Sequence, residues 1–311
     1  MAVSVDVVLP VRNGWEMTKT CLEHLRGQTA PHRVILVDNS STDGTSAHTR
    51  SGFPEVRVLE NGENLGFGPA CNRGAAVGTG DVVILLSNDA FCRPDFVEHV
   101  AAAFEQNPRA GSVATVTVQP DEDALDGVGI TIDRTLASFV RLQGKPLAAA
   151  GTFSPRLAGP GGGADAYRRE AFEQVGGFDE RLLFYFTDTD LDIRLHQAGW
   201  EVALAVDAVS VHLRSATTGH RSRRSRSSGG WGRGYLLRRY GVLRRALLRT
   251  LATEAIVVCG DAVLCRDLEA FRSRVAGWRA ARGLPVLEWP DGLIDHSLSF
   301  ADSLRLRWSV R

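Results

Sequence analysis

The stretch that decides the fold runs from residue 3 to residue 45, VSVDVVLPVRNGWEMTKTCLEHLRGQTAPHRVILVDNSSTDGT. Its first apolar run, Val3 to Val11, reads as a strand buried on both faces, Trp15 to Arg26 has helical spacing, and Val34 to Val37 is a second short strand. Working outward, Val56 to Leu59 reads as a strand and Phe67 to Val77 as a helix. Val82 to Leu86 is a β-branched strand, and Pro94 to Phe104 is a helix with proline in its first turn. Strand and helix alternating in this way predict a mostly parallel sheet with helices on both faces. Ligands of such sheets bind beyond the carboxyl ends of the strands.

Three of those ends are polar. They read Pro10-Val11-Arg12-Asn13, Asp38-Asn39-Ser40-Ser41-Thr42-Asp43-Gly44 and Ser87-Asn88-Asp89. Any one of them is also an ordinary turn, because Asn, Asp, Ser and Gly are turn formers. Three at one edge point to a site.

The 311 residues are 44% hydrophobic and 23% charged, which excludes a disordered, collagen-like or disulfide-scaffold chain. Apolar runs such as Val82 to Leu86 stop after five residues, far short of the roughly 20 that a membrane span needs, so a soluble or peripheral protein is expected. The start, MAVSVDVVLP, lacks the basic segment of a secretory signal. Five cysteines, an odd number without CxxC spacing, argue for a reducing compartment and for the cytoplasm. The 36 basic and 36 acidic residues cancel, yet residues 214–249 hold eleven arginines and no acid.

A nucleotide site needs groups that read base and ribose, and positive charge for the diphosphate. Arg12, Asp38 and Asn39 suit the first task. For the second there is no GxxxxGK[ST] loop, and Gly66-Phe67-Gly68-Pro69-Ala70-Cys71 fails GxGxxG at its last glycine. A divalent cation held by Asp89 is the simplest substitute. The bland alternative is an Asp89 that caps the helix near Pro94 or is simply solvated.

Six stretches in order carry a resemblance: VVLPVRNG (7–14), VDNSSTDGT (37–45), NLGFGPACNRGA (64–75), LLSNDA (85–90), RREAFEQVGGFDERLLFYFTDTDLDIRLHQAGW (168–200) and VSVHLRSATTG (209–219). Over about the first 220 residues the chain resembles the inverting family 2 glycosyltransferases of GT-A fold, in particular the bacterial rhamnosyltransferase-like branch. The resemblance implies a Rossmann-like GT-A catalytic domain over 1–219. Its donor half covers about 1–110, and an acceptor half with a small mixed sheet covers about 111–219. An Arg-rich, mainly helical C-terminal extension follows over 220–311.

It also implies nucleotide-sugar contacts from Pro10, Arg12, Asn13, Asp38 and Asn39, with Asn64 and Asn72 lining the same pocket. The family's DxD metal motif falls on Ser87-Asn88-Asp89, so Asn88 joins the nucleotide-sugar set and Asp89 becomes the ligand to Mg2+ or Mn2+. His212 takes the place of a late histidine that completes the metal site, although a histidine among valines is by itself more often a core residue. The base of the ED-x-D pattern is Asp188. An inverting transfer requires such a carboxylate, to take the acceptor proton as that oxygen attacks the anomeric carbon.

Thr187 and Ser87 replace acidic residues of the pattern and lower the charge around the cation. Asp190 lies four residues before Arg194, the spacing of a helical ion pair. Asp192 shares the helical face of Asp188 and can share its role. Gly159 to Gly163 is either a close approach for substrate or a plain connection. Phe184, Tyr185, Phe186 and Trp200 are core residues or acceptor platforms.

In the tail, His220 to Gly234 reads as an exposed loop. Tyr235 to Leu251 reads as a helix with a stripe of Leu236, Leu237, Tyr240, Leu243, Leu247 and Leu251 between arginines. Three uses compete: an anionic membrane surface contacted through 220–251, packing on the core with arginines solvated or on donor phosphates, and nucleic acid, which the neutral balance argues against.

The expected protein is a metal-assisted inverting glycosyltransferase of cell-wall or polysaccharide biosynthesis, cytoplasmic or peripheral on the inner face of the membrane. Its donor is a nucleoside diphosphate sugar, dTDP-rhamnose first, and its acceptor is a glycan, lipid-linked or small-molecule hydroxyl. A sugar-nucleotide nucleotidyltransferase and a non-catalytic nucleotide-sugar-binding module are the alternatives.

Overall fold

The computed structural model describes residues 3–161, 163–182, 184–213 and 222–309. Gly162 of the glycine run and residues 214–221, where the basic loop was expected to begin, lie outside the described residues.

The first half alternates as its apolar runs require: β1 (Val5–Val11), α1 (Trp15–Arg26), β2 (Arg33–Asp38), α2 (Thr45–Gly52), β3 (Arg57–Glu60), α3 (Phe67–Val77), β4 (Val82–Leu86), β5 (Ala90–Cys92) and α4 (Phe96–Gln106). There follow β6 (Ala110–Val118), β7 (Leu125–Gly127), β8 (Ile130–Ile132), β9 (Ser138–Val140), β10 (Ala164–Arg168), α5 (Arg169–Gln174), α6 (Thr187–Gln197) and β11 (Glu201–His212). One main sheet has the order β3-β2-β1-β4-β10-β6-β11-β5, with β7 on the edge of β6. Its β3-β2-β1-β4 block and the β6/β11 pair are parallel, while β10 joins the two antiparallel to β4 and to β6. A separate small sheet pairs β8 with β9 antiparallel.

The two core layers follow from strand alternation. Val5, Val7, Leu9 and Val11 face α1 and α4, while Val8, Ile35, Val37, Val83 and Leu85 face α3, α5 and α6. Residues 201–212 form one long strand, β11, with a register shift between Leu204 and Val209.

The tail departs from the sequence expectation. Instead of a loop, residues 223–239 form α7 (Arg223–Arg239), followed by α8 (Val242–Arg245), α9 (Leu247–Cys265), α10 (Glu269–Ala280) and α11 (Phe300–Ser309). Glycines, poor helix formers alone, are what α7 needs here. A Cβ at Gly234 would stand 1.9 Å from the Arg274 carbonyl oxygen, and one at Gly277 would stand 1.9 Å from that of Trp231. Two helix backbones therefore meet with nothing between them.

The expected single helix over 235–251 breaks at Gly241, whose φ of 59° is left-handed. Leu236, Leu237 and Tyr240 are buried against Ile130, Ile132, Leu136 and Ile193. Each such side chain gains about 1.5–3 kcal/mol on burial, which removes this part of the stripe from any membrane role.

Candidate active site

A cavity of about 570 Å³ opens where the strands end. Pro10, Arg12, Asn13, Asn39, Asn64, Asn88 and Asp188, seven of the residues proposed from sequence, line it together with Ser87, Gly163, Asp165, Phe184 and Arg224. A larger cavity of about 940 Å³, beside the start of β11, contains none of the strand-end residues, so chemistry rather than size locates the site.

Short hydrogen bonds fix the floor. Asn13 accepts from the Thr42 N–H at 2.8 Å, and the Asn39 amide donates to the Gly66 carbonyl at 3.2 Å while accepting from Asn61 at 2.8 Å. Asn64 accepts from the Gly66 N–H, and Asn88 donates to the Thr18 hydroxyl at 3.0 Å. The loops after β1 and β2 are thereby tied to each other and to the entrance of α3.

Two expected pocket residues are used otherwise. Asp38 is buried, and its oxygens accept from the Ser41 N–H and the Ser46 hydroxyl, so it shapes the loop behind the cavity wall. Asn72 donates to the Phe178 carbonyl at 3.0 Å and accepts from the Phe178 N–H at 2.9 Å, which anchors the turn before the base segment. Neither residue lines the cavity.

Beneath Ser87 and Gly163, Asp89 and His212 lie together. Asp89 Oδ1 is 3.4 Å from His212 Nε2 and accepts from the Ser87 hydroxyl at 2.5 Å, while His212 Nδ1 meets Asp126 Oδ2 at 2.8 Å. Burial lowers the imidazolium pKa of His212, but Asp126 and Asp89 outweigh it and lift the value to about 9. Burial also raises the Asp89 carboxyl, and the hydrogen bonds from His212 and Ser87 bring it below its ordinary value.

This pair fits a divalent ion. A carboxylate on the far nitrogen, here Asp126 on Nδ1 of His212, is the usual support of a ligating histidine. Among the described residues no group of three or more His, Cys, Asp or Glu side chains is placed to hold a metal. Asp89 and His212 would hold the ion, and its charge would serve to neutralise phosphate groups.

Asp188 stands near the start of α6, which the chain enters through Phe186 with a left-handed φ of 66°. Such strain in a non-glycine residue persists only when its surroundings enforce it. Here α7 packs Gly232 against Tyr185 and Phe186, and Tyr185 shares a 2.6 Å hydrogen bond with Ser225. Thr187, where the pattern has an acid, donates to Asp188 Oδ1 at 3.0 Å. Burial pushes the Asp188 carboxyl up, and it pushes Asp165 and Asp192 up further, with the Asp188 charge adding to both.

Asp190 pairs with Arg194 at 2.8 Å, as its spacing predicted. Within the glycine run, a Cβ at Gly159 would strike the carboxylate of Asp192, while Gly163 lines the cavity. Trp200 donates to Gln174 at 2.6 Å and borders the larger cavity.

Sequence reasoning missed Asp126, Asp165 and the place of Arg224 on the cavity. Arg224 lines the cavity and lies 5.2 Å from the Phe184 ring centroid. The arginine run was the only signal for it, and nothing local marks Asp126.

The pattern of the family described as "Glycosyl transferase family 2" matches residues 6–176. The chain is 33% identical over 218 residues to the N-acetylglucosaminyl-diphospho-decaprenol L-rhamnosyltransferase of Mycobacterium tuberculosis, covering 61% of this chain and 69% of that one. It is 30% identical over 182 residues to a glucosyl-dolichyl phosphate glucuronosyltransferase of Haloferax volcanii, covering 58% and 56%. Among solved structures, the mannosyltransferase PcManGT of Pyrobaculum calidifontis, in complex with GDP-Man and Mn2+, matches over 100% of this chain and 85% of its own, with TM-score 0.55 and 17% identity. GalNAc-T7 with UDP, GalNAc and Mn2+ matches over 77% and 48%, with TM-score 0.60 and 15% identity. These likenesses establish the GT-A fold. The sequence match spans more than half of the chain, which belongs to glycosyl transferase family 2 and is a glycosyltransferase.

Proposed function

We propose that this enzyme transfers a hexose or deoxyhexose, with inversion, from a nucleoside diphosphate donor to a hydroxyl of a glycan, glycolipid or secondary metabolite. The observation that carries the reading is the position of Asp188 on the same cavity as Pro10, Arg12, Asn13 and Asn39. In this reading the strand-end loops hold the nucleotide, and Asp188 takes the acceptor proton as the acceptor oxygen attacks the anomeric carbon. Burial raises the basicity of that carboxylate, and the Thr187 hydroxyl orients it.

Asp89 and His212 would hold Mg2+ or Mn2+, with Asp126 orienting His212. When bound, the ion supplies charge neutralisation to the leaving diphosphate. Arg224, which lines the same cavity, adds a guanidinium to those oxygens.

The similarity to a rhamnosyltransferase makes dTDP-rhamnose the first donor to try and a lipid-linked saccharide the first acceptor. A panel of dTDP, UDP and GDP sugars with Mg2+ or Mn2+, read by release of free nucleoside diphosphate, tests the proposal. Turnover with a neutral hexose or deoxyhexose and an inverted anomeric product are expected. Preference for a uronic acid donor, or retention at the anomeric carbon, refutes it.

A further inference from the structure

The outward side of α9 is apolar along its whole length. Leu247, Leu248, Leu251, Ala252, Ala255, Cys259, Val263 and Leu264 are all exposed, Leu248 to 82% and Val263 to 76%. From Leu247 to Val263 the stripe runs about 24 Å at the α-helical rise. A surface helix of a soluble domain ordinarily turns its polar residues outward. Here most polar residues go inward: Thr250 and Thr253 are buried, Glu254 is gripped by Arg233 and Arg274, Arg249 donates to the Leu298 carbonyl and the Ser303 hydroxyl, and Asp261 is half-buried. The apolar surface continues through Leu268 and Phe271 at the start of α10.

Charge narrows the occupant. Of the exposed residues from 244 to 272 none is acidic, and the charged ones are Arg244, Arg245, Arg266 and Arg272. Asp267 and Glu269 are engaged by Arg226 and Arg223. A second copy docked by a two-fold axis would set this arginine rim against itself. An anionic bilayer offers both acyl chains for the stripe and phosphates for the rim. No helix among the described residues is long and apolar enough to cross a membrane.

We infer that α9 lies flat on an anionic bilayer surface, with its Leu247–Leu264 side in the headgroup boundary and Arg244, Arg245, Arg266 and Arg272 on lipid phosphates. This moves the membrane contact expected at 220–251 about one helix further along the chain. Because α7 packs on α10 and α10 on α9, the surface is joined to the helix that carries Arg224 into the active-site cavity.

The test is flotation of the full chain with phosphatidylcholine–phosphatidylglycerol vesicles and with pure phosphatidylcholine vesicles. Binding to the mixed vesicles that weakens with salt is expected. The triple variant Leu248→Glu/Leu251→Glu/Val263→Glu, at positions outside the core, should lose more than about tenfold in partitioning with an unchanged melting temperature. The double variant Arg244→Gln/Arg245→Gln should lose about tenfold or more on mixed vesicles and little on neutral ones, and it carries the test if the triple variant fails to fold. Equal partitioning of wild type and variants, or no wild-type binding to either vesicle, overturns the inference. So does a wild-type dimer in solution that the triple substitution dissociates, which would assign the face to a second copy.

Discussion

Replacing Asp188 by Asn removes one proton acceptor and almost nothing else. The amide is isosteric, it can still accept from the Thr187 hydroxyl 3.0 Å away, and it leaves the nucleotide wall of Arg12, Asn13 and Asn39 untouched. General base catalysis contributes about 10²–10⁴-fold, or about 3–5 kcal/mol of barrier, so kcat should fall by that factor while donor affinity stays within a few fold.

Stability should move the other way. Asp165, Asp188 and Asp192 all have folded pKa values raised by burial, and the charge at Asp188 raises the other two. The folded state therefore holds protons that the unfolded chain has released, so this contribution to stability is fully present below the ordinary carboxylate range and is lost as pH rises through the folded values. Asp188→Asn removes that loss at neutral pH, and its melting temperature should equal or exceed that of the wild type. For the same reason the acid limb of the wild-type kcat profile should lie above the ordinary aspartate range. Release of nucleoside diphosphate across pH, with thermal unfolding of both proteins, reads all three quantities. Turnover of Asp188→Asn within about tenfold of wild type would refute the base assignment, and loss of donor affinity equal to the loss of kcat would reduce Asp188 to a structural residue.

Other outcomes follow from single contacts. Asp126→Asn should weaken metal-dependent donor binding by about 10–100-fold and leave donor binding in a chelator unchanged, as titration calorimetry would detect. Gly234→Ala gains helix propensity of about 1 kcal/mol, yet it drives a methyl onto the Arg274 carbonyl. Net destabilisation by urea, from an overpacking cost of about 1–3 kcal/mol, is expected, and net stabilisation would deny the close contact of α7 with α10. Glu254 is buried, but Arg233, Arg274 and Arg307 bring its pKa down to about 2. That is worth about 3 kcal/mol, present above the ordinary glutamate pKa and lost as pH falls toward 2, so Glu254→Gln should destabilise at pH 7 and converge with wild type in acid.

The first half of the molecule was legible because its determinants are local. Continuous apolar runs such as Val82 to Leu86 can be satisfied only in a two-sided sheet, and α1, α3 and β4 fall on the spans that their spacing predicts. Strand-end residues Arg12, Asn13, Asn39 and Asn88 meet in one cavity because a parallel sheet brings all such ends to one edge. The glycine-rich tail misled for the opposite reason. Residues 227–234 have little intrinsic preference for helix, and only the nearness of α10, some forty residues later in the chain, makes a helix of them.

The sequence by itself determined the alternation of strand and helix and the edge at which the polar strand ends gather, since each depends on neighbours within a few positions, while Asp188 was singled out by the resemblance to the family pattern. Only the tertiary structure decided that Asp126 would support His212 from 86 residues away, that Asp38 and Asn72 would brace loops instead of lining the cavity, and that the exposed apolar stripe would belong to α9. Those outcomes turn on which surfaces meet when the layers close, and no local pattern of side chains encodes that distance.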